Sequence, residues 1–226
     1  MKRVITALLA ALLVLSLAAC GSGVETKKLA GTWTCTIDVT DRMNAAAEQA
    51  LGLSAADGTA QMPLQLVLTV AEDGAYTLRY DSDAVRTALD AYAAALHPAA
   101  VESVYAAAEE QGLSREEYDA AMEKAGITMD DMVAAIFAGV DEEELLSLLT
   151  GRSAALTGYC RAEGGQLYLA DTAADLTETA DCLSYTLSDG TMTWTDAQGE
   201  LSSQLTEQEQ ELLRVPLTWT KQEESK

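Results

Sequence analysis

The chain has 226 residues, of which 49% are apolar, and it carries a formal net charge of −22 at pH 7. This apolar content is enough for a packed core, so the composition excludes disorder as the general state of the chain. The negative charge would repel nucleic acid and anionic lipid headgroups, which excludes both as electrostatic partners.

The first 20 residues begin with two basic residues and continue as an apolar run, 4–19, that is too short to cross a bilayer comfortably. The run ends in Leu-Ala-Ala-Cys at Cys20, which resembles the lipobox of bacterial lipoproteins. The resemblance implies that 1–19 is a signal peptide, that Cys20 receives a lipid, and that the protein is anchored to a cell membrane outside the cytoplasm. An ordinary signal peptide with an incidental cysteine is the alternative.

Cleavage before Cys20 would leave 207 residues and, because two basic residues are lost, a net charge of −24. The Gly/Ser and charged residues at the start of this mature chain predict a flexible tether over 20–28. We expect one domain over 29–226.

Eight segments of the domain alternate apolar and polar residues, as half-buried strands do. Asp73-Gly74 and Asp189-Gly190 are hairpin signals between them. Strands with one apolar face, joined by tight turns, predict an eight-stranded antiparallel up-and-down barrel or a strongly curved sheet, which would bury that face. The segments are 32–40, 64–70, 76–80, 155–161, 166–170, 183–187, 192–194 and 215–219.

A helical pattern interrupts the alternation at about 82–151, between strands 3 and 4. We expect a first helix to end at His97-Pro98, with the proline opening the next. Three short helices should follow, each with a capping box that begins at Ser114, Thr128 or Asp141. Such short helices are marginal alone, so we predict an insertion within the sheet domain and not an independent domain. Shorter helical patterns lie at 43–51 and 202–213.

Gly31-Thr32-Trp33, at the start of the first strand, resembles the Gly-x-Trp signature of lipocalins. The resemblance implies a mainly β fold with a lipocalin-like barrel, in which the tryptophan plugs one end and a basic residue packs on it. Arg214 is the candidate for that basic residue. The helical insertion departs from the family pattern, and no ligand is carried over from it.

Three cysteines, Cys35, Cys160 and Cys182, remain beside Cys20. At most one disulfide can form among them, and the sequence leaves all three pairings open. None has Cys-x-x-Cys spacing, which is the pattern of a redox or zinc site.

Catalytic residues are not indicated. His97 is the sole histidine and lies at a helix junction, so a histidine-dependent triad has one poorly placed base. Phosphate-binding glycine loops and zinc-protease motifs do not occur. We therefore expect a protein that is not an enzyme and has no cofactor.

A bound metal is not expected either. The acidic start at Asp81-Ser82-Asp83 fails as a calcium loop, because Arg86 and Tyr92 take the positions of its glycine and glutamate. A second acidic segment could line a weak calcium site, but a solvated loop is favoured. Its residues are Asp171, Asp175, Glu178 and Asp181.

Two functions stay open. The first is a membrane-anchored binding module that holds a small apolar ligand, and the second is a structural lipoprotein that docks another envelope protein. A hydrolase ranks below both.

Overall fold

The computed structural model describes residues 25–53, 60–138, 147, 155–177, 180–198 and 213–223. Some predictions lie outside these ranges, namely the signal peptide, the lipid on Cys20, the third capping box at Asp141, the helix at 202–212 and the acidic side chain of Glu178.

Eight antiparallel strands form a closed barrel in which each strand pairs with the next and the last pairs with the first. This confirms the predicted up-and-down topology and the insertion between strands 3 and 4. Closure leaves the sheet without free edges. The strands are β1 (Gly31–Asp38), β2 (Pro63–Val70), β3 (Ala75–Tyr80), β4 (Leu156–Glu163), β5 (Gln166–Ala170), β6 (Asp181–Ser188), β7 (Thr191–Gln198) and β8 (Leu217–Lys221).

The apolar residues of each strand face the barrel interior, as the alternation predicts. In β1, Trp33, Cys35 and Ile37 are buried while Thr36 and Asp38 are exposed. Burying one face of every strand gives a single core, because all eight inward faces meet inside the closed sheet. Large side chains with almost no exposure in this core include Trp33, Leu66, Leu183, Met192 and Trp219.

The two ends of the barrel have different connections. At one end, which we call the hairpin end, short turns join β2 to β3, β4 to β5 and β6 to β7. At the other, which we call the loop end, the longer connections 39–62, 81–155, 171–180 and 199–216 leave the strands.

Five α-helices of more than one described residue lie outside the strands, and residue 147 is helical as well. The chain folds as two compact units, one of which contains most of the barrel, while the helical unit combines 36–65 with the insertion from Asp81 onward. The helices are α1 (25–29), α2 (Thr40–Leu51), α3 (Ser82–Glu110), α4 (Arg115–Ala125) and α5 (Met129–Phe137).

α3 is one continuous helix of 29 residues with Pro98 inside it. The prediction that the helix ends at His97-Pro98 is therefore wrong. Proline removes one backbone donor and is unfavourable inside a helix. Burial of Leu96 and Ala100, one turn apart on either side, opposes this cost because it requires the helix to continue.

The two capping boxes that fall within the described residues are both present. Ser114 accepts from the N–H of Glu117, whose carboxylate accepts in return from the N–H of Ser114 at 2.9 Å. Thr128 and Asp131 repeat the pattern, with a 2.8 Å bond from the N–H of Thr128. These bonds lower the pKa of both carboxyl groups, so their charged forms stabilise the starts of α4 and α5.

The helical unit has a small core of its own. Leu53, Ala100 and Val133 are almost fully buried and join the end of α2 to α3 and α5. Tyr92 of α3 also donates a 2.8 Å hydrogen bond to the side chain of Asn44 in α2. The insertion thus packs with the β1–β2 connection, a partner that the sequence did not indicate.

Candidate functional site

The barrel interior contains an apolar pocket with a volume of about 30 Å³. A single water needs roughly 10–15 Å³ on this measure, so the pocket has room for a few atoms only. The lining consists of Leu29, Leu68, Val70, Tyr76, Leu78, Leu156, Cys160, Leu167, Leu169, Asp181, Met192, Trp194 and Leu213.

The mouth of the pocket lies toward the loop end. Its half-buried lining residues Leu78, Leu156, Leu169 and Asp181 come from the strand ends on that side, and they pair as Leu78 with Leu156 and Leu169 with Asp181. Leu213, which shortly precedes β8, is also half-buried. The remaining lining residues are buried and form the floor. The more exposed part of the pocket lining therefore lies toward the loop end.

A glycine makes room for an aromatic ring in the floor. Tyr76 lies directly opposite Gly158 in the β3–β4 pair. A Cβ atom at Gly158 would be 2.6 Å from the carbonyl oxygen of Ala170 and 3.0 Å from the Tyr76 ring and hydroxyl. Only glycine fits at this position without displacing the backbone of β5 or the tyrosine.

The hairpin end is plugged by the residues of the Gly-x-Trp motif. Trp33 is 1% exposed and its ring nitrogen donates a 2.7 Å hydrogen bond to the carbonyl of Leu29. The ammonium of Lys221 lies 5.3 Å from the centre of the Trp33 ring, within the range of a cation–π contact. Gly31 has φ +127°, and a Cβ there would lie 2.7 Å from the Lys221 side chain. The basic residue on the tryptophan is therefore Lys221, and the expectation for Arg214 is wrong.

Helix α1 completes the plug. Thr26 accepts a 3.0 Å hydrogen bond from the N–H of Ala162 in β4, and its methyl group lies 3.4 Å from where a Cβ of Gly74 would be. Leu29 is 1% exposed and lines the pocket floor. Residues 25–28 are therefore part of a helix that packs on the barrel, which differs from the prediction of a flexible tether up to residue 28.

Polar groups are few around the pocket. Burial raises the pKa of the Cys160 thiol to about 12, which keeps it protonated and unreactive at neutral pH. The ring nitrogen of Trp194 is buried and has no hydrogen-bond partner among the described residues. Asp181 supplies a carboxylate at the mouth. The pocket lining is therefore almost wholly apolar.

The three described cysteines, Cys35, Cys160 and Cys182, are present as thiols. Cys160 faces the barrel interior, whereas Cys182 alternates with the inward-facing Leu183 and so lies on the outer face two strands away. Sheet spacing and opposite orientation prevent a bond between these two. One of the three pairings that the sequence left open is thereby excluded.

His97 and the acidic segments do not come together as a metal site within the described ranges. The ring nitrogen of His97 lies 3.0 Å from a carboxylate oxygen of Asp130; the His97 side chain is half-buried and that of Asp130 is exposed. No group of three or more acidic, histidine or cysteine side chains in these ranges could hold a metal. Asp175 instead accepts a hydrogen bond from the Thr172 hydroxyl.

Sequence reasoning missed Thr26 and Lys221, and it did not separate the mouth residues from the core. Alternation shows which residues face inward but not which of them stay half-exposed. Position within the strand was the available signal, since Leu78 and Leu156 lie close to the ends from which a long connection leaves.

Comparison with known proteins adds nothing to the fold described above. No protein-family model, curated protein or solved structure matches this chain. Within the described ranges, no helix is both long and apolar enough to span a bilayer. The fold defines an up-and-down β-barrel protein with a helical insertion and a small apolar pocket.

Proposed function

We propose that this chain is a bacterial lipoprotein, anchored outside the cytoplasm by a lipid on Cys20, whose lipocalin-like barrel binds the apolar end of a small ligand. The apolar pocket and its mouth at the loop end support binding. The plugged hairpin end supports the lipocalin resemblance, because the Gly-x-Trp residues have the role that the signature implies. The leader sequence up to Cys20 supports the anchor.

The size of the pocket limits how a ligand could bind. Sites that enclose a whole drug-sized molecule have volumes of roughly 300–1,000 Å³, about tenfold larger or more. A pocket of about 30 Å³ accepts the tip of an alkyl chain or a comparable group, while the remainder of the ligand stays at the mouth. The ligand would then be an amphipathic molecule with a terminal apolar group.

Two neighbouring residues of β4 allow a matched test. Leu156 lines the mouth, and Thr157 is exposed on the outer face. Leu156→Trp should fill the mouth and weaken the binding of dodecanoate at least about tenfold, or about 1.4 kcal/mol. Thr157→Trp adds the same ring outside and should leave the affinity unchanged. Titration calorimetry measures both variants, and native mass spectrometry of protein from its own host would identify the natural ligand.

Two experimental results would contradict ligand binding in this pocket. If wild-type protein binds no dodecanoate and carries no small molecule from its host, the binding proposal is wrong. Equal affinities for wild type and Leu156→Trp would show that any binding occurs elsewhere.

An interaction lipoprotein is the second candidate. Leu113 and Ile127, just before α4 and α5, are 38% and 41% exposed, and α4 has no buried residue among its described side chains. Such apolar side chains could contact another envelope protein. A photo-crosslinker at Leu113 should then capture one defined protein that a crosslinker at the exposed Glu116 does not, and no capture at either site would count against this function.

A further inference from the structure

We infer that the barrel stands on its membrane by the hairpin end, so that the pocket mouth opens away from the anchoring bilayer and takes its ligand from the aqueous side. This inference rests on the proposed lipid anchor at Cys20. It specifies which surface of the barrel meets the lipid and from which side the ligand arrives.

Helix α1 lies at the hairpin end of the barrel. Three observations place it at the hairpin end: the hydrogen bond from Ala162 to Thr26, the close approach of Thr26 to Gly74 in the β2–β3 turn, and the bond from Trp33 to Leu29. The carboxylate of Glu25 also lies close enough to Tyr185 to raise the pKa of that phenol, with burial as the larger cause. The N–H of Tyr185 in turn bonds Gly165 in the β4–β5 turn.

The length of chain between Cys20 and α1 limits how far the lipid anchor can lie from the barrel. Four residues lie between Cys20 and Glu25, so the chain makes five Cα–Cα steps from one to the other. A fully extended chain covers at most about 3.6 Å per residue, so the anchor point lies within about 18 Å of the start of α1.

The barrel is about as high as the extended tether is long. β1 has eight residues, which at about 3.3 Å per residue and the usual strand tilt of about 40° give a height of roughly 20 Å. To bring the loop end to the bilayer, the chain from Glu25 would have to cover this height and also pass around the barrel wall. The available length is too short for that path.

The charge of the hairpin end would not by itself hold this end at an anionic membrane. Lys27 and Lys28 are exposed on α1, but exposed carboxylates lie at the same end, in Asp73, Glu163 and Asp189. The hairpin end is therefore not a basic patch that would seek anionic lipid. Its position at the membrane follows from chain length.

The experiment uses the full lipidated chain in phosphatidylcholine vesicles that contain a nitroxide-labelled headgroup lipid. An environment-sensitive fluorophore is attached at Glu72→Cys in the β2–β3 turn or at Ala174→Cys in the β5–β6 connection. Glu72 lies in a turn and Ala174 in a short 3₁₀ helix, and both residues are exposed. The half-buried Cys182 is changed to serine to limit background labelling, and circular dichroism verifies that both variants fold. Quenching should be several-fold stronger at position 72 than at position 174.

A longer tether tests the cause. Insertion of a long Gly-Ser segment after Gly23 should bring the two quenching values close together, because the barrel can then tumble. A contrast that survives the insertion would show that the surface and not the tether sets the orientation, which overturns the argument. Equal or reversed quenching in the original chain overturns it as well.

Mass spectrometry shows whether Cys20 carries a lipid, and this separates the proposed anchor from the proposed orientation of the barrel. A lipidated chain with equal quenching contradicts the orientation alone. A chain without lipid, which behaves like Cys20→Ser in a vesicle flotation assay, contradicts the anchor and this inference with it.

Discussion

The plug at the hairpin end can be tested through the hydroxyl group of Thr26. The hydroxyl of Thr26 accepts from the backbone N–H of Ala162, a residue with 0% exposure. Thr26→Val keeps the shape of the side chain but removes the acceptor. The buried N–H then loses its partner and has no water to replace it.

The expected cost is that of an unsatisfied buried donor, about 1–3 kcal/mol. For a chain of this length, each kcal/mol corresponds to about 2–4 °C in Tm, so Thr26→Val should melt about 2–12 °C lower. Thr26→Ser is the matched control, because it keeps the hydroxyl and loses only the methyl group near Gly74. Removal of one methyl group costs about 0.8 kcal/mol.

Thermal and urea unfolding measure the stability of the two variants, and hydrogen exchange measures the Ala162 amide directly. The amide should exchange faster in Thr26→Val than in Thr26→Ser. If valine is as stable as serine and the amide stays equally protected, α1 is not held to β4 by this bond, and the account of the plug is wrong.

Other predictions concern the core, a thiol, a helix cap and the insertion. Gly158→Ala should destabilise the barrel by about 1–3 kcal/mol in urea unfolding, since its Cβ would be 2.6 Å from a carbonyl oxygen, and an unchanged midpoint would contradict the packing. Cys160 should resist maleimide at pH 8 until urea unfolds the protein, because burial raises its pKa to about 12; fast labelling of the native protein would refute this. The folded-state pKa of Asp131 is lowered from 3.8, so its contribution to α5 should be present above that pH and lost as the pH falls through the lowered value, whereas Asp131→Asn should remove this pH dependence in helix-resolved NMR. Excision of 82–151 with a Gly-Ser linker should leave a folded but destabilised barrel, because Leu53 loses its buried partners, and the excised fragment should show no cooperative melting by circular dichroism.

Local patterns predicted the barrel because strand alternation and turn chemistry are both properties of a few neighbouring residues. The period of two located all eight strands, and Asp-Gly located two hairpins. The capping boxes at Ser114 and Thr128 were equally local and are confirmed.

Long-range packing was what local patterns could not supply. Pro98 suggested a helix boundary, but burial on both sides of it outweighs one missing hydrogen bond. Lys221 was missed because its partner Trp33 lies near the opposite end of the chain. A barrel that holds a small apolar ligand was one of the two functions left open, but the lining and volume of the pocket were not predicted, because they depend on how inward side chains from many strands fit together.

The pairing of β1 with β8 has a consequence for how the protein reaches its native state. Trp33 pairs with Lys221, and Gln222 donates hydrogen bonds to residues 32 and 34 of the first strand. A chain made from its N-terminus therefore needs β8, whose Lys221 lies 188 positions after Trp33 (221 − 33 = 188), before the sheet can close. Until then β1 has a free edge, and the side chains of the later strands are missing from the core. Contacts over such separations form slowly, because a large loop must first close. Until β8 is available, the free edge of β1 is the place where the chain is most exposed to pairing with another molecule.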